Sequence, residues 1–119
     1  MTSIAPHLAA LSALIAQDAE AGQVNTRQLQ LLALLSSETE PMTIVAAATR
    51  LGVSQSRMSR VASALVDKGL VTSTEDRYCR RAVLLRPTRI GRDLDSRVRG
   101  YVATVNLIPG DALQPQQRT

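Results

Sequence analysis

Phenylalanine and tryptophan are absent from this 119-residue chain, and two tyrosines are its only aromatic residues. Hydrophobic residues still make up 45% of it, too large a share for a disordered tail. The core must therefore come from Leu, Val, Ile, Ala and Met, which suits packed helices better than a β-sandwich. A single cysteine, Cys79, excludes an internal disulfide framework and fits a reducing compartment. His7 is the sole histidine and stands near the start, so a metal site or histidine-based catalysis has nothing to assemble from. Phosphate-cradling glycine loops, paired catalytic carboxylates and a nucleophile elbow are all missing from the pattern. The expectation is a protein that is not an enzyme and carries no cofactor or metal. No apolar run approaches the roughly 20 residues of a membrane span, and Met1 to Leu8 lack the basic flank of a secretory signal. A soluble, cytoplasmic protein without a membrane partner is expected.

Charge is present and unevenly placed. Residues 1–49 hold one Arg against Asp18, Glu20, Glu38 and Glu40, a net of −3, whereas residues 50–119 hold thirteen Lys or Arg against six carboxylates, a net of +7. All but one of the basic groups in that second half are Arg, the side chain best shaped for bidentate bonds to phosphate or guanine. A basic half beside an acidic one is the electrostatic footprint of a polyanion binder, although charge alone is also compatible with an ordinary solvated surface.

Apolar periodicity places the elements. Leu8, Leu11, Leu14 and Ile15 share one face of a first helix expected from Pro6 to Ala21, stopped by Gly22. Asn25-Thr26 offers a cap for a second helix, Arg27 to Ser37, with a broad Leu stripe. Pro41 breaks the chain; Thr43 caps a third helix, Ile44 to Leu51, ended by Gly52. Ser54 caps a fourth, running to about Lys68 and stopped at Gly69. Leu70-Val71-Thr72 starts a strand, a charged segment follows to Arg80, and Ala82 to Leu85 reads as the returning strand, closed by Pro87. Thr88 caps a long last helix in which Ile90, Leu94, Val98, Val102 and Val105 form a narrow apolar seam, ended by Pro109-Gly110.

Thr43 to Lys68 is the informative segment. Two helices meet at Gly52-Val53-Ser54, a turn of helix-turn-helix length. Met58, Val61, Ala62, Leu65 and Val66 make one face of the second helix core. Its other face presents Gln55, Ser56, Ser59, Arg60 and Ser63, with Arg57 at the edge: small hydroxyl residues let a helix sink into a major groove, while Gln and Arg reach base edges. Ser54 and the free N–H groups of the helix start suit a phosphate. The same three-helix core also serves protein–protein modules, so packing alone is the alternative. Downstream, the charged hairpin tip Glu75 to Arg81 suits a wing that carries Arg into a minor groove, with Asp76 as its anchor. Cys79 beside Arg77, Arg80 and Arg81 invites a redox reading, but with no second cysteine in the chain a passive thiol is expected.

These segments, Gln30 to Leu35, Ile44 to Ser56, Leu65 to Val71 with its Lys68-Gly69-Leu70-Val71, the wing Asp76 to Arg81, and Val83 to Gly91 with its Thr88-x-x-Gly91, resemble the MarR (multiple antibiotic resistance regulator) family of winged-helix repressors over roughly Gln28 to Leu94. The wing departs from the family pattern: Tyr78 and Cys79 stand where the family has Arg and Asp, and Pro87 replaces a Leu. The resemblance implies a dimer paired through its first and last helices on a pseudo-palindromic promoter site. It also implies a phenolic-ligand pocket in many members, which the short termini here do not indicate.

The expected architecture is mainly α with a small β-hairpin wing, a winged helix-turn-helix of order α-α-α-α-β-β-α. Residues 1–24 form a dimerisation helix, 25–88 the DNA-binding domain, 89–108 a second dimerisation helix, and 109–119 a polar tail. Expected DNA-binding residues are Ser54, Gln55, Ser56, Arg57, Ser59, Arg60, Ser63, Arg77, Arg80 and Arg81, although Arg81 could instead stiffen the ribbon. The expected dimer interface is Leu11, Leu14, Ile15, Ile90, Leu94, Val98, Val102 and Val105, more apolar surface than one small domain easily buries. The partners are double-stranded DNA and a second copy. The function is sequence-specific transcription regulation, most simply repression. The rival readings are a winged-helix protein-interaction module of anti-repressor type and a plasmid-partition or architectural DNA-binding protein.

Overall fold

Side-chain caps set where the helices begin. Asn25 Oδ1 accepts the N–H of Gln28 at 2.8 Å while Gln28 Oε1 accepts the N–H of Asn25 at 3.1 Å, a reciprocal capping box that opens helix α2 (Thr26–Ser37). Thr43 Oγ1 accepts the N–H of Ala46 and opens α3 (Ile44–Leu51), and Ser54 Oγ accepts the N–H of Arg57 and opens α4 (Gln55–Asp67). Thr88 Oγ1 accepts the N–H of Gly91 at the start of α5 (Arg89–Leu107). The computed structural model describes residues 5–75 and 82–107. Two compact units partition the chain, one of Val24–Asp95 and one of residues up to Gln23 together with those from Ser96.

Within Val24–Asp95, strands β1 (Met42–Thr43), β2 (Val71–Glu75) and β3 (Val83–Pro87) form an antiparallel sheet in the order β1-β3-β2. Thr43 pairs with Leu84, and Val71 to Glu75 pair with Pro87 to Val83. The hairpin ladder is longer than the apolar pattern suggested, because Ser73, Thr74 and Glu75 continue β2 with outward side chains. Strand β1 went unforeseen: two residues after Pro41, the second of them itself a helix cap, are too few for an alternation to show. Pro87 sits at the end of its ladder, where a missing N–H is tolerated.

The core of this unit joins Leu31, Leu32 and Leu35 of α2, Ala47 and Ala48 of α3, Met58, Ala62 and Leu65 of α4, and Leu85 of β3, all buried. Gly52 ends α3 at φ 69°, a left-handed conformation that a side chain resists, and its N–H reaches Ala48 O and Thr49 O. The buried Gln28 side chain also accepts a bond from Lys68 Nζ at 3.2 Å, tying the start of α2 to the end of α4. The Thr88-x-x-Gly91 motif locks α5 onto the turn after α4. Thr88 Oγ1 donates to Gly69 O at 2.7 Å and Thr88 N–H to Leu70 O at 3.0 Å, and Gly91 passes directly beneath that same carbonyl.

In the other unit, α1 (Ala5–Gln17) stops four residues short of the expected Ala21. Asp18 Oδ1 accepts the N–H groups of Glu20 and Ala21, both at 3.0 Å, which draws the backbone out of the α-helical ladder and into a 3-10 turn, Ala21–Gln23. From α5, Arg97 Nε donates to Asp18 Oδ2 at 3.0 Å and Arg97 Nη2 to Glu20 Oε1 at 2.7 Å, while Tyr101 Oη donates to Asp18 Oδ2 at 2.5 Å. Hydrogen bonds from Arg97 and then Tyr101 hold the Asp18 carboxyl well below the usual carboxylate range, and the same contacts raise the Arg97 and Tyr101 values.

The apolar seam expected at a dimer interface divides in two. Leu94 and Val105 are buried within the chain, so they are core positions, Val105 forming part of the floor of a groove. Packing on the chain itself explains this: the seam covers part of the protomer's own core before any partner is added. Ile90 and Val102 are exposed, Leu11, Leu14, Ile15 and Val98 half-buried, and Leu8 joins the exposed set. An apolar groove of about 380 Å³ runs between Leu8, Leu11, Val102 and Val105, flanked by His7 and Asn106. Among the described residues, no helix is long and apolar enough to cross a membrane.

Candidate nucleic-acid interface

Helix α4 has two chemically distinct faces. Met58, Ala62 and Leu65 are buried against α2 and α3, with Val61 and Val66 partly covered. Gln55, Ser56, Arg57, Ser59, Arg60 and Ser63 are exposed, as is the cap residue Ser54. The turn Gly52-Val53-Ser54 is held by Val53 N–H donating to Ala48 O at 3.0 Å, and this fixes α4 against α3. Ser54 Oγ already accepts the Arg57 N–H at 3.1 Å, so any phosphate at this terminus would meet the hydroxyl as a donor. The result is a rigid helix that displays hydroxyl, amide and guanidinium groups from one side.

A cleft of about 350 Å³ lies beside this face. Its walls are Thr43, Ile44 and Val45 from the start of α3 and Gln55, Ser56 and Ser59 from α4. Ala82 and Val83, at the base of the hairpin, close it. The α3 and β3 residues of this cleft were not among the expected site residues. A signal for Val45 was present: Ala47 and Ala48 face the core, Ala46, Thr49 and Arg50 face outward, and Val45 is an apolar residue on the outward side. Arg77, Arg80, Arg81, Asp76 and Cys79 lie outside the described residues, as does the tail 109–119. Among the described residues, no group of three or more His, Cys, Asp or Glu is placed to hold a metal ion.

A helix-turn-helix braced by an antiparallel hairpin defines a winged helix-turn-helix protein. Residues 23–82 match the model of the MarR family, and the chain belongs to that family of DNA-binding, winged-helix transcription regulators. It is similar to RV1404 from Mycobacterium tuberculosis, with 30% identity over 93% of this chain and 74% of that one and a TM-score of 0.73. BldR, a transcriptional regulator from Sulfolobus solfataricus, is 21% identical over 87% of this chain and 70% of its own, with a TM-score of 0.68. MepR of S. aureus, solved in complex with DNA, shares the fold at 16% identity, with 87% and 82% of the two chains covered and a TM-score of 0.75. A sequence comparison with curated proteins found no match.

Proposed function

We propose that this chain binds a pseudo-palindromic duplex site as a homodimer and represses the promoter it occupies. The observation that carries the reading is the division of α4 into a buried apolar face and an exposed face of Gln55, Ser56, Ser59, Arg60 and Ser63. Gln55 and Arg60 are the side chains with the reach and donor geometry for base edges, and Ser56 and Ser59 are small enough to let the helix approach them. Ser54, Arg57 and Ser63 flank the backbone, and Arg77 and Arg80 serve the wing. MepR, of the same fold, is a precedent for a DNA complex. The exposed Leu8 and Val102 beside their groove are the surface offered to a second copy.

Selection of duplexes from a random library tests this, followed by titration of the selected duplex at several salt concentrations. A repeated, inverted motif with half-sites about one helical turn (~34 Å) apart, or a multiple of it, is expected. Binding must weaken steeply with salt, since each neutralised phosphate releases counterions. Failure to enrich any sequence, or an affinity indifferent to salt, refutes the reading and favours a protein-interaction module.

A further inference from the structure

The cleft between α3, α4 and the hairpin base has a composition unlike the rest of the basic half of the chain. Among the described residues, its lining holds no Lys or Arg, although Arg57 and Arg60 stand on the same helix. Without a cation the cleft has little to draw in a phosphate charge, whereas amides, hydroxyls and apolar groups all make contacts to base edges. This cleft has the second inventory: the Gln55 amide, the Ser56 and Ser59 hydroxyls, and the apolar Val45. Val45 is 52% exposed, on a helix whose packing is carried by the fully covered Ala47 and Ala48. About half of Val45 is left facing water, a poor neighbour for a branched apolar side chain.

We propose that this cleft is a base-reading subsite that takes the edge of a thymine, its C5 methyl packed on Val45 and its pairing partner within reach of Gln55. The assignment rests on the duplex-binding reading above. Thymine is selected because it alone presents a methyl group in the major groove for an exposed valine to pack on. Val45 thereby acts from outside α4, and sequence preference is shared between the two helices of the motif.

The test uses the duplex that the protein itself selects from a random library, remade with each thymine in turn replaced by uracil, which removes only the methyl. At one thymine per half-site the wild type should lose about fourfold in affinity, the value of one buried methyl group. Val45→Ala should bind the thymine and uracil versions of that duplex within about twofold of each other, with an unchanged thermal melt. A uracil penalty of the same size in Val45→Ala overturns the assignment, as does a duplex in which no thymine is sensitive. If the protein selects no duplex at all, the proposed function itself has failed and the subsite falls with it.

Discussion

Gly91 lies beneath the carbonyl oxygen of Leu70 so closely that a Cβ on it would stand 2.1 Å from that oxygen and 3.1 Å from Leu32 Cδ1. The obstacle is backbone, held in place by the N–H of Thr88, so it cannot swing aside. Gly91→Ala should therefore destabilise the protein by at least about 2 kcal/mol, the scale of overpacking in a tight core. Gly100→Ala is the control: it lies in the same helix with nothing within 4 Å of a new Cβ, and should stabilise by up to about 1 kcal/mol. Urea unfolding of the two variants checks the pair; equal midpoints would contradict the close approach.

Arg60 is exposed in the middle of the outward face of α4. Arg60→Ala should weaken binding to the selected duplex by about 1–3 kcal/mol and relax preference at one base pair. Arg77→Ala, at the proposed wing contact, should instead lower affinity across many sequences and flatten the salt dependence. Fluorescence anisotropy with selected and scrambled duplexes separates the two patterns. Wild-type behaviour in both variants would mean that α4 does not enter the groove.

Val102 and Val105 are neighbours on α5 with opposite fates. Val102 is 37% exposed and Val105 is 2% exposed. Val102→Asp should leave the protomer folded and convert dimer to monomer in sedimentation, because the charge falls on the surface offered to a second copy. Val105→Asp should cost at least about 3 kcal/mol of stability at any protein concentration, as an uncompensated buried charge does. A wild type that sediments as a monomer at tens of micromolar, roughly the range for a functional dimer, would refute the homodimer.

The contacts of Asp18 lead to a prediction of acid-dependent stability. A carboxyl depressed in the folded state contributes its full stabilisation above its unfolded value, near 4, and loses it as pH falls toward the folded value. Asp18→Asn should lower stability at pH 7 by about 1–2 kcal/mol, a figure reduced because Arg97 is 39% exposed and partly screened. The gap to the wild type should narrow between pH 4 and pH 2, read by urea midpoints across that range. A gap that stays constant with pH would mean that the carboxylate charge does no stabilising there.

Much of the fold was legible because its signals are local. The caps Asn25, Thr43, Ser54 and Thr88, the stops Gly52 and Gly69, and the core face of α4 all follow from rules spanning a few residues. What escaped depends on partners far along the chain. Asp18 and Arg97 are separated by 79 positions, and no helical or strand period links them. The burial of Leu94 and Val105 is likewise invisible in a seam whose members look alike in sequence; only packing separates those turned inward from those left at the surface. Within the candidate site, α4 was readable from its polar and apolar halves. The contribution of Ala82 and Val83, and their meeting with Val45, needed the sheet, because three short segments meet there only after β1 and β3 have paired.

Thr43 belongs to two elements at once: it pairs with Leu84 in the sheet and caps the first turn of α3. The hairpin and the helix-turn-helix are thus joined through this residue as well as by the packing of α3 and α4 on the strands, with no linker between β1 and α3. Such a joint makes the protein a ruler. On the proposed duplex-binding reading, the spacing between α4 and the base of the ribbon is set by the protein's own backbone, so a duplex whose contacted segments lay one base pair too far apart would have to bend or twist to comply. Its stiffness then enters the affinity alongside its bases.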